Sequence, residues 1–303
     1  MKDSRFYRQA DLLVRSIPAV AAERCFALKG GTAINLFVRD MPRLSVDIDL
    51  AYVPVQLRSE SLQAIEAALW RISGTLKETL KAEVVESLGE SKRVTRLFVR
   101  SSGVQIIIEP SINNRGTVFG CEERQLVNTA ETLFERAVSI NTVSLGDLYG
   151  GKICAALDRQ HPRDLFDVKL LFENEGIPTQ IRQAVVVLLA SHARPMSELI
   201  DPPRKDVREL YESHFRGMTS RPVQYEDLTT ARERLIGTLR SDLTEQERQF
   251  LISIQQGAAD WTLLDIKGID QLPGVRFKLQ NVAKMEAGKR DQSVAILRQK
   301  LGL

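Results

Sequence analysis

Two aspartates separated by one residue, Asp47 and Asp49, are the side chains in this sequence best suited to chemistry. They lie in a predicted strand, where side chains two apart point to the same face, about 6.6 Å apart along the chain. Ile48 and Leu50 then face the core on the other side. Oxygen ligands at this spacing suit Mg²⁺, which also recruits substrate phosphates. The alternative is a pair of solvent-facing acids at a strand end, but Asp is depleted in strands and like charges on one face favour a bound cation.

A pair of glycines, Gly30 and Gly31, lies upstream of these aspartates, after a short predicted strand over residues 25–29. We expect a helix to begin at Thr32. Adjacent glycines let the backbone turn tightly and approach a ligand closely, and the free N–H groups of a helix N-terminus bind phosphate. A phosphate-binding turn followed by two carboxylates that bind a divalent metal predicts nucleotidyl or phosphoryl transfer.

The elements that must position these residues are predicted from hydrophobic periodicity. Helices are expected at 4–23 and 57–81, strands at 83–88, 94–100 and 104–109, and one short helix within the less regular region 117–143. The β-branched run at 104–109 predicts a central strand, which Pro110 should end. Its last residue, Glu109, is a candidate third metal ligand, because an acid at that strand end can converge with the two aspartates.

Two further helices carry candidate residues, one over 145–160 and one that opens at Pro162. Lys152 in the first either extends its ammonium to solvent or meets a nucleotide phosphate as a point charge. In the second, Arg163 and Asp167 form an i,i+4 pair, and Asp164 is an acid near a helix N-terminus. Local helix chemistry explains these three residues adequately.

Composition bounds the class of protein. The chain has 303 residues, of which 43% are hydrophobic and 27% charged, as in soluble globular proteins. Its length favours two domains, which we place at 1–140 and 141–303. No apolar run approaches the ~20 residues of a membrane span, and the N-terminus lacks the apolar core of a signal peptide. Three widely spaced cysteines fit neither a disulfide framework nor a zinc site, so a cytoplasmic protein without a membrane partner is predicted.

Three histidines share no ligand spacing and are expected at the surface: His161, His192 and His214.

Basic residues concentrate at the C-terminal end. Residues 274–303 contain seven Lys or Arg against two acids, a net charge of +5, which leaves −2 for the rest of a chain whose total is +3. This basic tail of the second domain either holds a phosphate backbone or is the solvated face of a terminal helix.

Three segments together resemble a known family. LKGGTAINL…RLSVDIDL, IIIEPSINNRG and LGDLYGGKICAALDRQHPRDLFDVKLLFENEGI are similar to the AbiEii/AbiGii-type nucleotidyltransferase toxins, which include the MenT-like enzymes of bacterial toxin–antitoxin and phage-abortive systems. The resemblance covers residues 20–180, and the ordered set GGT, RxSxDIDL, KxxAL and PRDxxD carries it. It implies an α/β (α+β) fold. A polymerase-β-like minimal nucleotidyltransferase domain with a mixed sheet would be followed by a mainly helical domain that completes the active site.

The resemblance also implies residue roles. Asp47 and Asp49, with Glu109, would bind Mg²⁺ or Mn²⁺, although the Pro-Ser after Glu109 departs from the family pattern. The catalytic residues would be Asp47, Asp49, Lys152 and Asp167. The nucleotide-binding residues would be Gly30, Gly31, Thr32, Ser45, Lys152, Arg163 and Asp164.

The activity implied is transfer of NMP from an NTP to an acceptor hydroxyl, the 3′ end of tRNA, which would block translation until a cognate antitoxin restrains the protein. Two alternatives stay open. One is nucleotidyl or phosphoryl transfer to a protein such as the antitoxin. The other is a non-catalytic nucleic-acid-binding regulator on the same fold.

Overall fold

The computed structural model describes residues 4–89 and 92–303, and residues 1–3, 90 and 91 of the predicted domain 1–140 lie outside these ranges. The strands are β1 Phe26–Lys29, β2 Asp47–Tyr52, β3 Glu83–Leu88, β4 Val94–Ser101, β5 Val104–Ser111, β6 Cys121–Gln125 and β7 Ser139–Val143. The helices are α1 Arg5–Ala21, α2 Gly30–Ala33, α3 Arg58–Leu80, α4 Asn128–Phe134, α5 Leu145–Arg159, α6 Pro162–Asn174, α7 Thr179–Ala190, α8 Met196–Ile200, α9 Arg208–His214, α10 Tyr225–Asp242, α11 Glu245–Gln256, α12 Pro273–Ala283 and α13 Ala287–Leu301. A π-helical turn, Ile34–Val38, continues α2, and two 3₁₀ turns lie at Trp261–Leu263 and Ile269–Gln271.

The chain divides into two compact units. The first comprises Met1–Ser144 together with Gly217–Pro222, and the second comprises Leu145–Arg216 and Val223–Leu303. The first unit contains all seven strands, and the second contains α5 to α13.

The first unit is built on one mixed sheet with the strand order β3-β4-β5-β2-β1-β7-β6. The central pairs β2–β5 and β1–β7 are parallel, whereas the other neighbouring strands are antiparallel. Because side chains alternate along a strand, the sheet has two distinct faces. On one face Ile48, Leu50, Ile106 and Ile108 are fully buried. The opposite face carries Asp47 and Asp49, both half-buried.

Several predicted bounds differ from the structure. The helix after β1 begins at Gly30, two residues earlier than predicted, so both glycines belong to it. Strand β5 continues past Pro110, which pairs with Leu50 of β2. The pairing of β5 with β4 ends at Ile108, so Pro110 pairs with β2 alone, as proline in a strand requires a side where no N–H is needed.

The second unit is helical. Helix α5 packs against α6 and α7, and α11 packs against α7, α12 and α13. The predicted basic tail is therefore folded into this unit as α12 and α13. Some of its basic residues make internal contacts: Lys278 is buried and donates to the carbonyls of His192 and Arg194, and Lys300 lies 2.6 Å from Asp201.

Candidate active site

The turn from β1 into α2 leaves no room for side chains. Gly30 has a φ of +71°, a conformation that favours glycine, and a Cβ atom there would lie 2.3 Å from Asp49 Oδ2. A Cβ atom on Gly31 would lie 2.5 Å from Arg43 Nη2 and 3.3 Å from Ser45 Oγ. The two glycines therefore place the start of α2 directly against an aspartate and an arginine.

Thr32 ties this turn to the start of β2. Its hydroxyl is fully buried, donates to the Asp47 carbonyl at 2.5 Å and lies 2.9 Å from Ser45 Oγ. Asn35 Nδ2 donates to the Gly31 carbonyl at 2.9 Å. Because the Thr32 hydroxyl bonds within the protein, the groups of this turn best placed for a ligand are the backbone N–H groups of the helix start.

Asp47 and Asp49 lie on one face of β2, as predicted from their spacing. In register with Asp49 are Lys29 of β1 on one side and Glu109 of β5 on the other. This face of β2 is also where Gly30 approaches Asp49. The structure thus brings Gly30 and both aspartates together.

Glu109 lies on the same face but is held by an arginine. Its Oε1 lies 2.9 Å from Arg96 Nη2, and 45% of its side chain is exposed. Within residues 4–89 and 92–303, no three His, Cys, Asp or Glu side chains form a cluster that could hold a metal ion. The donor set does suit Mg²⁺ bound by two carboxylates and completed by substrate phosphates, which makes Asp47 and Asp49 the candidate ligands.

Arg43 and Asn35 are residues of this site to which sequence reasoning assigned no role. Arg43 is 2% exposed, donates from Nη1 to the Leu44 carbonyl at 2.9 Å and fills the space beside Gly31. A signal for Arg43 was present, since it begins the RxSxDIDL motif, but no rule of spacing shows that an arginine packs against a glycine twelve residues upstream.

The second unit holds an ion cluster in which Lys152, Asp164 and Asp167 are buried, whereas Arg159 is exposed. Lys152 Nζ lies 2.8 Å from Asp164 Oδ1 and 3.0 Å from Asp167 Oδ2, and its side chain is 5% exposed. Arg159 Nε donates to Asp164 Oδ2 at 2.6 Å. The alternative in which Lys152 extends to solvent is therefore wrong, because its ammonium is the counter-ion of two buried carboxylates.

The charges of this cluster depend on one another. Burial by itself would raise the pKa of Asp164, but the nearby Lys152 ammonium and Arg159 guanidinium outweigh burial and hold this pKa well below its ordinary value. Asp164 and Asp167 share the Lys152 ammonium, so removing that ammonium takes a counter-ion from two buried carboxylates at once.

His161 begins α6 as its N-cap residue. Its Nδ1 accepts a hydrogen bond from the Arg163 amide at 3.1 Å, and Pro162 follows in the first turn. Burial, reinforced by the Arg163 charge, lowers the pKa of His161 to about 4. The prediction of surface histidines is wrong for His161 and His192, which are both half-buried, whereas His214 is exposed.

Comparison with known proteins gives the family. The profile described as "Nucleotidyl transferase AbiEii toxin, Type IV TA system" matches residues 11–281, which is most of the chain. The chain belongs to the AbiEii family of nucleotidyltransferase toxins. The resemblance read from the GGT, RxSxDIDL and PRDxxD motifs is thereby confirmed.

Among solved structures, the AbiEii fold of this chain is similar to that of MenT4, a nucleotidyltransferase toxin from Mycobacterium tuberculosis H37Rv. The TM-score is 0.58 at 15% sequence identity, and the match covers 97% of this chain and 94% of that one. A search of curated protein sequences found no match. The structural likeness confirms the predicted fold class of a mixed sheet with many helices.

Family membership makes this chain a nucleotidyltransferase toxin of a type IV toxin–antitoxin system, and it implies an NTP substrate and an antitoxin partner. Within the described residues, no helix is long and apolar enough to cross a membrane.

Proposed function

We propose that this AbiEii toxin transfers an NMP group from an NTP to the 3′-hydroxyl of a tRNA, with Mg²⁺ or Mn²⁺ held by Asp47 and Asp49. The observation that supports this most directly is the contact between the start of α2 and Asp49, where a Cβ atom on Gly30 would lie 2.3 Å from the carboxylate. A backbone that binds phosphate and a carboxylate that binds metal are adjacent there, which a metal-assisted nucleotidyl transfer requires.

The chain's own groups bind and orient the nucleotide. The N–H groups at the start of α2 donate to phosphate oxygens, and the buried hydroxyls of Thr32 and Ser45 hold that backbone against β2. A divalent ion bound to Asp47 and Asp49 would neutralise charge on the phosphates as pyrophosphate departs. Glu109, paired with Arg96, joins the metal ligands only if that ion pair opens.

The reaction balances without a further reactant. The acceptor hydroxyl oxygen forms a bond to the α-phosphorus, the bond from that phosphorus to the bridging oxygen breaks, and pyrophosphate leaves while the hydroxyl proton passes to solvent. Positioning and electrostatic stabilisation supply most of the acceleration in such transfers.

We place Lys152, Asp164 and Asp167 in a supporting role. Their ion pairs are nearly fully buried, so the charge of Lys152 is already engaged by two carboxylates. We therefore propose that Lys152 and Asp167 are required for activity chiefly because they order the N-terminal half of α6, from which Arg163 projects.

The deciding experiment is transfer of label. The purified toxin is incubated with each α-labelled NTP in turn, with Mg²⁺, with Mn²⁺ or with a chelator, and with either total tRNA or total cell protein. We expect label at the 3′ end of tRNA and none when metal is chelated. Label on protein alone would show a protein acceptor. RNA binding without any transfer would show a non-catalytic regulator.

Asp47→Asn tests the carboxylate itself. We expect loss of transfer by at least about a hundredfold and loss of growth inhibition, because the amide cannot neutralise a divalent ion. Far-ultraviolet circular dichroism and the unfolding midpoint should stay near those of the wild type. The matched control is Asp40→Asn, the same chemical change at an exposed position, which should leave transfer unchanged. A fully toxic Asp47→Asn protein would contradict the assignment.

A further inference from the structure

The side chains of strand β4 alternate between the core and the face of the sheet that carries Asp47 and Asp49. Leu97 and Val99 are fully buried on the core side. Between and beside them, Arg96, Phe98 and Arg100 point to the opposite face. Phe98 is half-buried, and 42% of the Arg96 side chain and 48% of the Arg100 side chain are exposed. An aromatic ring thus lies between two arginines on a solvent-accessible face.

The register of the sheet places this surface beside the candidate metal ligands. Phe98 pairs with Ile107 of β5, and Ile107 pairs with Asp47 of β2. Phe98 is therefore two strand spacings from Asp47, about 10 Å. A separation of that order is bridged by a single nucleoside, so a hydroxyl near Asp47 can belong to a nucleotide whose base reaches Phe98.

Each of the two arginines is paired with an acid that a phosphate can replace. Arg96 Nη2 lies 2.9 Å from Glu109, and Arg100 Nη1 lies 3.2 Å from Glu83. Exposed ion pairs of this kind contribute little to stability. A phosphate accepts two parallel hydrogen bonds from a guanidinium, so replacing a carboxylate partner by a phosphate keeps the arginine satisfied.

We propose that the surface formed by Arg96, Phe98 and Arg100, here called the β4 surface, binds the single-stranded 3′ end of a polynucleotide acceptor. A base stacks on Phe98 and neighbouring phosphates bind the arginines, the combination by which proteins hold single-stranded nucleic acids. This inference rests on the proposed function, because it names where the acceptor of that transfer lies.

Binding is measured first, without nucleotide. The probe is a fluorescent single-stranded RNA with a free 3′-hydroxyl, and its anisotropy is followed with the full-length toxin. Phe98→Leu keeps an apolar side chain but removes the stacking ring, and it should weaken binding about 5- to 150-fold. Phe98→Trp should bind at least as well as the wild type. Arg100→Gln should weaken binding and reduce the salt dependence by about one phosphate contact.

The matched control is Trp70→Leu, since Trp70 on α3 is a 51% exposed aromatic outside the basic segment 274–303. It should bind RNA within twofold of the wild type. Unfolding midpoints check that each variant is folded. Wild-type affinity in folded Phe98→Leu, or an equal loss in Trp70→Leu, would overturn the inference.

The transfer assay separates this inference from the proposed function. If wild-type toxin labels tRNA and Phe98→Leu labels it with an unchanged KM for RNA, the β4 surface is excluded while the function stands. If the toxin labels no RNA but binds the probe in a Phe98-dependent manner, the β4 surface is supported and the proposed transfer is wrong. If the toxin labels no RNA and binds none, both are overturned.

Discussion

At the scale of single residues, two kinds of constraint hold the candidate site. Gly30 is constrained by space, because its α-carbon faces Asp49 at a distance that excludes a side chain. Lys152 is constrained by charge, because it neutralises Asp164 and Asp167 in a buried position. Substitution of Gly30 should therefore cause a steric clash, whereas substitution of Lys152 should leave buried carboxylates without their counter-ion.

Replacing Gly30 by Ala should reduce both stability and transfer. A positive φ costs a side-chain-bearing residue about 1–3 kcal/mol, and the new methyl group must displace the Asp49 carboxylate. The control is Gly74→Ala in α3, where a Cβ atom meets nothing within 4 Å and helix propensity favours Ala by about 0.5–1 kcal/mol. Urea unfolding and the labelling assay test both variants. Full activity in Gly30→Ala would show that the close approach is unimportant.

Replacing Lys152 by Met should destabilise the protein strongly. It removes the ammonium that Asp164 and Asp167 share, and breaking such a buried pair costs about 3–5 kcal/mol. Adding Asp167→Asn to this variant should recover part of the loss, since one uncompensated charge is removed. Lys169→Met is the control, because the Lys169–Glu173 pair is an exposed i,i+4 pair on α6 worth less than about 1 kcal/mol. Equal unfolding free energies for Lys152→Met and Lys169→Met would refute the account.

At the scale of elements, the ends of helices and strands decide how the site is presented. Helix α6 begins at Pro162, and the ring of the preceding residue, His161, caps its first turn. Strand β5 extends through Pro110 because its pairing with β4 has already ended at Ile108. The sequence alone predicted a surface position for His161 and a strand end at Pro110. In the structure His161 caps a helix and Pro110 lies within a strand.

The cap of α6 predicts a pH dependence of stability. The folded pKa of His161 is lowered to about 4 from an ordinary 6.5, so between these values the unfolded chain binds a proton that the folded chain does not. Stability from the neutral ring is fully present above pH 6.5 and should fall by about 1–3 kcal/mol as the pH drops to 4.

Asn also serves as an N-cap, so His161→Asn keeps the helix start and removes the titration. Urea unfolding from pH 7 to pH 4 should show a smaller loss of stability in this variant than in the wild type. His214→Asn, at an exposed position, is the control and should follow the wild type. Parallel curves for His161→Asn and the wild type would contradict the assignment.

At the scale of the whole molecule, a short distant segment completes the first unit. Residues Gly217–Pro222 belong to it although the chain before and after them belongs to the second unit. The Leu44 amide donates to the Met218 carbonyl at 2.9 Å, the Ser220 amide donates to the Pro42 carbonyl at 2.9 Å, and Arg43 and Thr219 form a β-bridge. The loop that carries Arg43 against Gly31 is therefore fastened by residues far along the chain.

Met218→Ala tests this fastening. Met218 is 2% exposed, so the truncation should cost about 2–5 kcal/mol locally and should speed hydrogen exchange at the Leu44 amide. Arg221→Ala, at an exposed position in the same segment, should leave that exchange unchanged. Mass spectrometry of peptides containing Leu44 measures both variants. Unchanged protection in Met218→Ala would show that the segment does not hold the loop.

The sequence by itself determined what depends on local spacing. The alternation around Asp47 and Asp49, the glycine pair before a helix and the Pro162 helix start follow from the periods of strands and helices, and the motif order identified the family. Strands β6 and β7 were missed because pairing with neighbouring strands, rather than a strong apolar alternation in their own residues, makes them strands.

Only the tertiary structure decided which groups meet. No spacing shows that Lys152 neutralises Asp164 and Asp167, that Arg96 holds Glu109, or that Met218 lies beside Leu44. These contacts join residues distant along the chain or on separate elements. They form because burying a charge or a backbone amide is costly until a partner is found, and that partner is supplied by the fold as a whole.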